Sequence, residues 1–269
     1  MAIIAIETKN ERRSILIISD ILWNEIAPII PAKKNKIGRP QKNARIVLSG
    51  IFYIMLTGAQ WCQLPDYYGK KSTVHGRFTA WARSKVFDAI LLKSIEIALE
   101  KLGPPESFII DTSSIKAPFA RFGGKNPTDR AKNGVKKGIV IDWNRVILSI
   151  LIDPANTHDS KLLMPHIEKI KHFLEKPKVI TADSAWDVQK LQKKLAQVNL
   201  ALFASTNVRR DKTKRKNNPG GRWKIEQIFG IQQWNRGIKF CWNKSKDYFL
   251  ALCQFASAIH NFKLVGIFG

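Results

Sequence analysis

The sequence predicts a two-part chain, a helical segment followed by an α/β domain, and three observations carry that expectation. Apolar residues recur at helical spacing as far as Gly103-Pro104-Pro105. Beyond that point, short β-prone apolar runs alternate with amphipathic helical stretches. The charge is also lopsided, with 45 Lys+Arg against 21 Asp+Glu and a formal net charge of +24. A length of 269 residues leaves room for one or two domains, and a hydrophobic content of 45% is ordinary for a protein with a real core. The proline pair marks the boundary, giving a helical part over 1–104 and an α/β part over 105–269.

Within the first part, Ser19-Asp20 is placed to cap a helix through Ile21, Leu22, Trp23 and Ile26, closed by Pro28 and Pro31. A basic linker follows, carrying Lys33, Lys34, Lys36, Arg39, Pro40 and Lys42. Asn43 to Thr57 has apolar residues at helical spacing, and Gly58 is positioned to stop it. Thr73 to Trp81 reads as another helix, and the residues from Val86 to Leu102 form a long amphipathic one. In the second part, Phe108-Ile109-Ile110 is a strand that ends at Asp111. Residues 138–143 and 145–152 make two more strands, joined by a turn near Asp142 to Asn144. Thr157-His158-Asp159-Ser160 precedes a helix over 161–176, with Asp159 or Ser160 as its cap. Val179 to Ala182 is a fourth strand ending at Asp183, residues 188–198 are helical, and Leu200 to Ala204 is a fifth strand. A very basic loop follows, then mainly helix from Trp223, with Trp234 and Trp242 read as packing residues. The order strand, strand, strand, helix, strand, helix, strand, helix is that of a ribonuclease-H-like catalytic domain.

The excess of positive charge calls for a polyanion. Nucleic acid is the first candidate and an anionic membrane surface the second. Clustering of the charge argues against solubility as its sole purpose. The basic loop (Arg209, Arg210, Lys212, Lys214, Arg215, Lys216) is the best candidate for contact with a DNA backbone, and Arg39 and Lys42 join it from the linker. Helices around that linker suit a helical, helix-turn-helix type of DNA-binding domain. Cys62, Cys241 and Cys253 are odd in number and far apart, which fits neither a disulfide framework nor a zinc site and agrees with a reducing cytosol. The opening MAIIAIETKNERR lacks the basic start and cleavable core of a signal peptide, and no run of about 18 apolar residues exists to span a membrane.

Asp111 and Asp183 each follow an apolar β run, where an unpartnered carboxylate is costly. One partner that relieves the cost is a divalent cation, and strand ends of α/β sheets are where ligands collect. The plain alternative is that both merely begin turns. Glu226 lies on the helix after the basic loop, with Arg222 one turn before it. The Arg222 guanidinium suits a salt bridge to Glu226 or a phosphate contact. Asp187 reads as a helix cap, His158 as structural or as a phosphate contact, and Trp186 and Trp223 as packing or base-stacking residues.

These residues also carry a family resemblance. Gly38-Arg39-Pro40, Gly50-Ile51-Phe52-Tyr53, the block from Leu56 to Pro65 and the block from Ser72 to Trp81 resemble, in that order, the opening blocks of the DDE transposases of the insertion-sequence-five group, within the insertion-sequence-four-like superfamily. Ile110-Asp111-Thr112-Ser113-Ser114 resembles the first catalytic block, Thr157-His158-Asp159-Ser160 the segment before the central helix, and Ala182-Asp183-Ser184-Ala185-Trp186-Asp187 the second catalytic block. Arg222 and Glu226 resemble the core of the C-terminal signature. The chain departs from the family at Pro219, where a Tyr is usual, at Gln233, where a Lys is usual, and at Ser184-Ala185-Trp186.

The resemblance implies that Asp111, Asp183 and Glu226 are catalytic and hold Mg²⁺, with Mn²⁺ as a substitute. It implies cleavage and strand transfer on double-stranded DNA, at the inverted repeats of an element end and at a target site. It also implies a homo-oligomer on paired ends, no membrane partner, and work in the bacterial cytoplasm at the nucleoid. The rival readings are a decayed or domesticated DNA-binding protein without catalysis, and a metal-dependent nuclease without strand transfer.

Overall fold

A computed structural model of the chain describes residues 6–8, 11–32, 40–176, 178–186, 189–204 and 220–268. The elements of the first part are β1 (Ile6–Thr8), β2 (Glu11–Ile15), α1 (Asp20–Ile26), α2 (Ala44–Thr57), α3 (Lys71–Arg83) and α4 (Val86–Leu102). They are followed by β3 (Ser107–Lys116), β4 (Gly124–Lys125), β5 (Asn133–Asp142), β6 (Ile147–Pro154), α5 (Asp159–Ile170), β7 (Lys178–Ala182), α6 (Gln189–Ala196) and β8 (Leu200–Ala204). The last helices are α7 (Trp223–Gln233), α8 (Arg236–Lys239) and α9 (Lys246–Leu264). The antiparallel pair β1–β2 is a departure from the all-helical reading of the first part.

Local signals set several of these ends. Ser19 caps α1 by accepting from the Leu22 N–H, and Asn43 caps α2 by accepting from the Arg45 N–H at 2.8 Å. Gly58 ends α2 with φ +68°, a left-handed conformation that glycine adopts without strain. The cap of α5 differs from the expected Asp159 or Ser160. His158 occupies that position, and its Nδ1 accepts from the Ser160 N–H at 3.3 Å. Asp159 is instead drawn to the sheet, where Lys136 and Thr112 hold it.

Contacts divide the chain into two compact units: 1–98 with 233–239 and 247–269, and 99–232 with 240–246. The first unit is helical and has an aromatic core. Phe87 and Phe255 stand 5.5 Å apart between ring centroids, Phe52 and Phe255 6.1 Å, and Phe78 and Phe87 5.7 Å. Nearly every residue of α9 from Ala251 to Ile259 is buried there, and Asn261 donates to Ser94 Oγ at 3.1 Å inside the core.

The second unit is built on a sheet ordered β6-β5-β3-β7-β8, with short β4 pairing the start of β5 on the same edge as β6. β3, β7 and β8 are parallel, while β5 runs antiparallel to both β3 and β6. Together with the succession of α5, α6 and α7, this is the ribonuclease-H-like α/β arrangement expected from the sequence. Central strands read as continuous apolar runs because both faces are covered: Phe108, Ile109 and Ile110 on β3 and Ile139, Val140 and Ile141 on β5 are all buried. Among the described residues no helix is long and apolar enough to cross a membrane.

Candidate active site

The register of two parallel strands sets the site. β3 and β7 pair Ser107 with Val179, Phe108 with Ile180 and Ile109 with Thr181. The same register, continued two residues along each strand, sets Asp111 beside Asp183. Paired residues of parallel neighbours share a face, and the strands lie about 4.8 Å apart. Asp111 is not at the end of its strand, as the sequence reading had it. β3 continues to Lys116, paired there only with β5, so Asp111 stands where its parallel neighbour stops.

The Asp111 side chain is 16% exposed, and burial is the main reason its carboxyl is pushed up to about 6. The backbone N–H of Thr112, 2.7 Å from Oδ1, pulls the other way, and the Asp183 charge adds to the rise. The nearby cation is Arg222, whose Nη2 lies 3.5 Å from Asp111 Oδ2. Arg222, just ahead of α7, thus pairs with the first carboxylate, across the fold, rather than with Glu226 four residues further along the chain. Its Nε is buried with no hydrogen-bond partner among the described residues.

Helix α7 is held at both ends. At its start, Gly221 adopts φ +86°, and a Cβ there would come within 2.5 Å of the Trp143 ring. Lys224 lies 3.6 Å from the centroid of that ring and donates to the Trp143 carbonyl at 2.8 Å. Near its other end, Lys137 of β5, only 3% exposed, donates to Gln232 Oε1 at 2.7 Å and faces the Phe229 ring. Lys137 pairs with Ser113 in the β3–β5 ladder, which puts it on the same sheet face as Asp111. Glu226 is exposed, on the first turn of α7. Among the described residues no three His, Cys, Asp or Glu side chains gather closely enough to hold a metal ion.

The opposite face of β3 explains the Thr157-to-Ser160 segment. Thr112 Oγ1 donates to Asp159 Oδ1 at 2.8 Å, and Lys136 bridges the same carboxylate at 2.8 Å and the Thr157 carbonyl at 2.7 Å. These bonds fix the residue next to Asp111 from behind. Sequence reasoning missed Lys136, Lys137, Trp143, Lys224 and Gln232. The only trace was the Lys136-Lys137 pair inside a β-prone run, two charges on opposite faces that each need a partner. Trp186 is fully buried, in line with packing. Trp234 and Trp242, read as packing residues, are 80% and 56% exposed, because neither falls on the buried side of its segment. Of the basic candidates, Lys42 lines a cleft in the helical unit. Arg39, Arg209, Arg210, Lys212, Lys214, Arg215 and Lys216 lie outside the described residues, as do Asp187 and Pro219.

The family described as "Transposase DDE domain" matches residues 102–258, more than half of the chain. The chain belongs to this DDE transposase family. A second family, described as "Putative transposase of IS4/5 family", matches residues 18–91. The putative transposase for insertion sequence element IS402 of Burkholderia cepacia is 36% identical over 95 residues, 33% of this chain and 44% of that protein. The match therefore spans under half the length of that relative. An uncharacterized 16.2 kDa protein of the same element is 32% identical over 112 residues, 38% of this chain and 74% of that protein. Among solved structures, a piggyBac transposase synaptic complex with hairpin DNA overlaps 90% of this chain and 72% of its own, with a TM-score of 0.43 and 10% identity. Membership of the DDE family implies use of a divalent metal. The Asp111–Asp183 pair fits that requirement, since two oxygen donors share a partly buried position and one is held against its ordinary ionisation by burial and by the other's charge.

Proposed function

We propose that this chain is a transposase that binds the inverted repeats of an insertion sequence and catalyses DNA cleavage and strand transfer. The observation that carries the reading is the β3–β7 register, which sets Asp111 beside Asp183 within a fold matched by the DDE domain family. Asp111, Asp183 and Glu226 would hold Mg²⁺, with Mn²⁺ as a substitute. Bound there, the metal supplies Lewis acidity at the scissile phosphate. In this reading the third carboxylate, Glu226, comes from α7, the helix held at Trp143 and Lys137, rather than from the sheet. Arg222 offers a fork of donors that suits a phosphate as well as it suits Asp111. Water attacks the phosphodiester at the element end, and the freed 3′-hydroxyl then attacks target DNA. No covalent enzyme intermediate forms, so no nucleophilic side chain is required.

The helical unit and the basic loop over 209–216 hold double-stranded DNA, with a homo-oligomer acting on paired ends in the bacterial cytoplasm. The test is incubation of the full chain with duplexes cut from the DNA flanking its gene, with and without Mg²⁺, alongside Asp111→Asn, Asp183→Ala and Glu226→Gln. Metal-dependent cleavage and joining, lost in all three variants, are expected. Activity that survives in Asp183→Ala sinks the carboxylate assignment. Cleavage without joining reduces the protein to a nuclease, and binding without cleavage to a DNA-binding protein.

A further inference from the structure

Helix α3 presents a face that the fold itself does not use. Val74, Phe78, Trp81 and Ala82 bury one side, and Lys71, Ser72, Thr73, Gly76, Ala80 and Arg83 are exposed on the other. The helix contains no acidic residue. Its exposed face borders a cleft of about 810 Å³ whose lining includes Lys42, Lys70, Thr73, Gly76 and Arg77, with Asp66 as the one acid among the described residues. Arg77 is held ready there. Its Nη1 donates to Gln41 Oε1 at 2.7 Å, and its guanidinium lies 4.9 Å from the centroid of the Trp81 ring.

Gly76 decides what kind of partner this face fits. A glycine inside an exposed helix costs about 1 kcal/mol relative to alanine. Among the described residues nothing asks for it: the residue is helical, and a Cβ added there would meet none of their atoms within 4 Å. The missing side chain therefore leaves room on this face for something that approaches from outside. A helix about 10–12 Å across, side chains included, fits a DNA major groove about 12 Å wide, and a short patch on its leading face lets the backbone come closer to the bases while a neighbouring long side chain reads them. Thr73, Gly76 and Ala80 form such a patch, flanked by cations for the phosphates and by an Arg suited to a guanine edge.

We infer that α3 is the DNA-reading helix of this protein, entering the major groove with Thr73, Gly76 and Arg77 foremost while Lys42 and Lys70 hold the flanking backbone. The inference deepens the transposase reading and rests on it. It is tested with the full chain and a pool of short duplexes with a randomised centre. The enriched duplex and a scrambled one are then compared by fluorescence anisotropy as salt is varied.

The wild type is expected to enrich one motif. Gly76→Leu, which meets no described atom and gains helix propensity, should melt no lower than the wild type, and is expected to lose its preference for that motif by roughly tenfold or more. Arg77→Ala is expected to relax the motif at one position. Lys42→Ala and Lys70→Ala should weaken both duplexes alike and flatten the salt dependence, the mark of phosphate contacts. Retention of the full preference in both Gly76→Leu and Arg77→Ala overturns the inference, as does a wild type that enriches no motif. Either result obtained alongside intact metal-dependent cleavage leaves the transposase reading standing, so the two failures are distinguishable.

Discussion

His166→Gln is expected to remove a large acid sensitivity from the sheet-containing unit. His166 is fully buried on α5, where its Nδ1 meets Ser149 Oγ at 2.8 Å and its Nε2 has no hydrogen-bond partner among the described residues. Burial, with a smaller push from the Lys169 charge, drives the imidazole down from 6.5 to about 3. The unfolded chain therefore takes up a proton at this residue below pH 6.5, and the folded chain does not until about pH 3. Stability from the neutral ring is fully present above 6.5 and is lost as the pH falls toward 3. At 1.36 kcal/mol per pH unit, about 2 kcal/mol is gone by about pH 5. That is a sizeable part of a typical stability of about 5–15 kcal/mol. Two carboxyls act oppositely: burial raises Asp111 and Asp142 to about 6, so they favour the folded state as the pH falls from 6 toward 3.8. The difference between wild type and variant cancels their contribution. Urea unfolding at about pH 7.5 and about pH 5 should show the wild type losing about 2 kcal/mol more than His166→Gln. Equal losses in the two proteins refute a neutral, proton-excluding His166.

Other substitutions probe the same architecture. Gly138→Ala places a methyl 2.6 Å from His166 Nε2, and urea unfolding should show a loss of about 1–3 kcal/mol. Asp111→Asn removes a buried negative charge that Arg222 and the Thr112 N–H only partly offset. The metal-free variant should melt higher than the wild type while losing cleavage, and a lower melting point counts against that picture. Lys137→Met and Gln232→Leu each break a buried charged hydrogen bond worth about 1.5–3 kcal/mol, and the double variant should cost less than the sum of the two. A strictly additive cycle by denaturant unfolding means the pair does not clamp α7. Gly221→Ala strains a left-handed residue against Trp143 and should lower cleavage more than it lowers the melting point, because it shifts the helix that carries Glu226.

Much of the fold was legible because its signals are local. The cap at Ser19, the left-handed stop at Gly58 and the strand Leu200–Ala204 each depend on residues within a turn of one another. The β1–β2 pair and the return of α9 to the first unit were not legible. Pairing and helix packing are decided by distant partners, such as Ser94 for Asn261 and Phe87 for Phe255. The cap of α5 was misread for a related reason: Asp159 would suit the position, but Lys136 and Thr112 compete for its carboxylate from across the sheet.

From the sequence alone came the candidate acids, because an Asp after an apolar β run is a costly placement that asks for a reason whatever surrounds it. It also supplied the order of strands and helices, since periods of two and 3.6 residues are written in neighbours. Only the tertiary structure decided that Asp111 and Asp183 fall in one parallel register, that Arg222 answers Asp111 rather than Glu226, and that Lys137 reaches Gln232, 95 positions away, to hold α7. Register and long-range ion pairs follow from how whole faces pack, and no stretch of chain carries that information by itself.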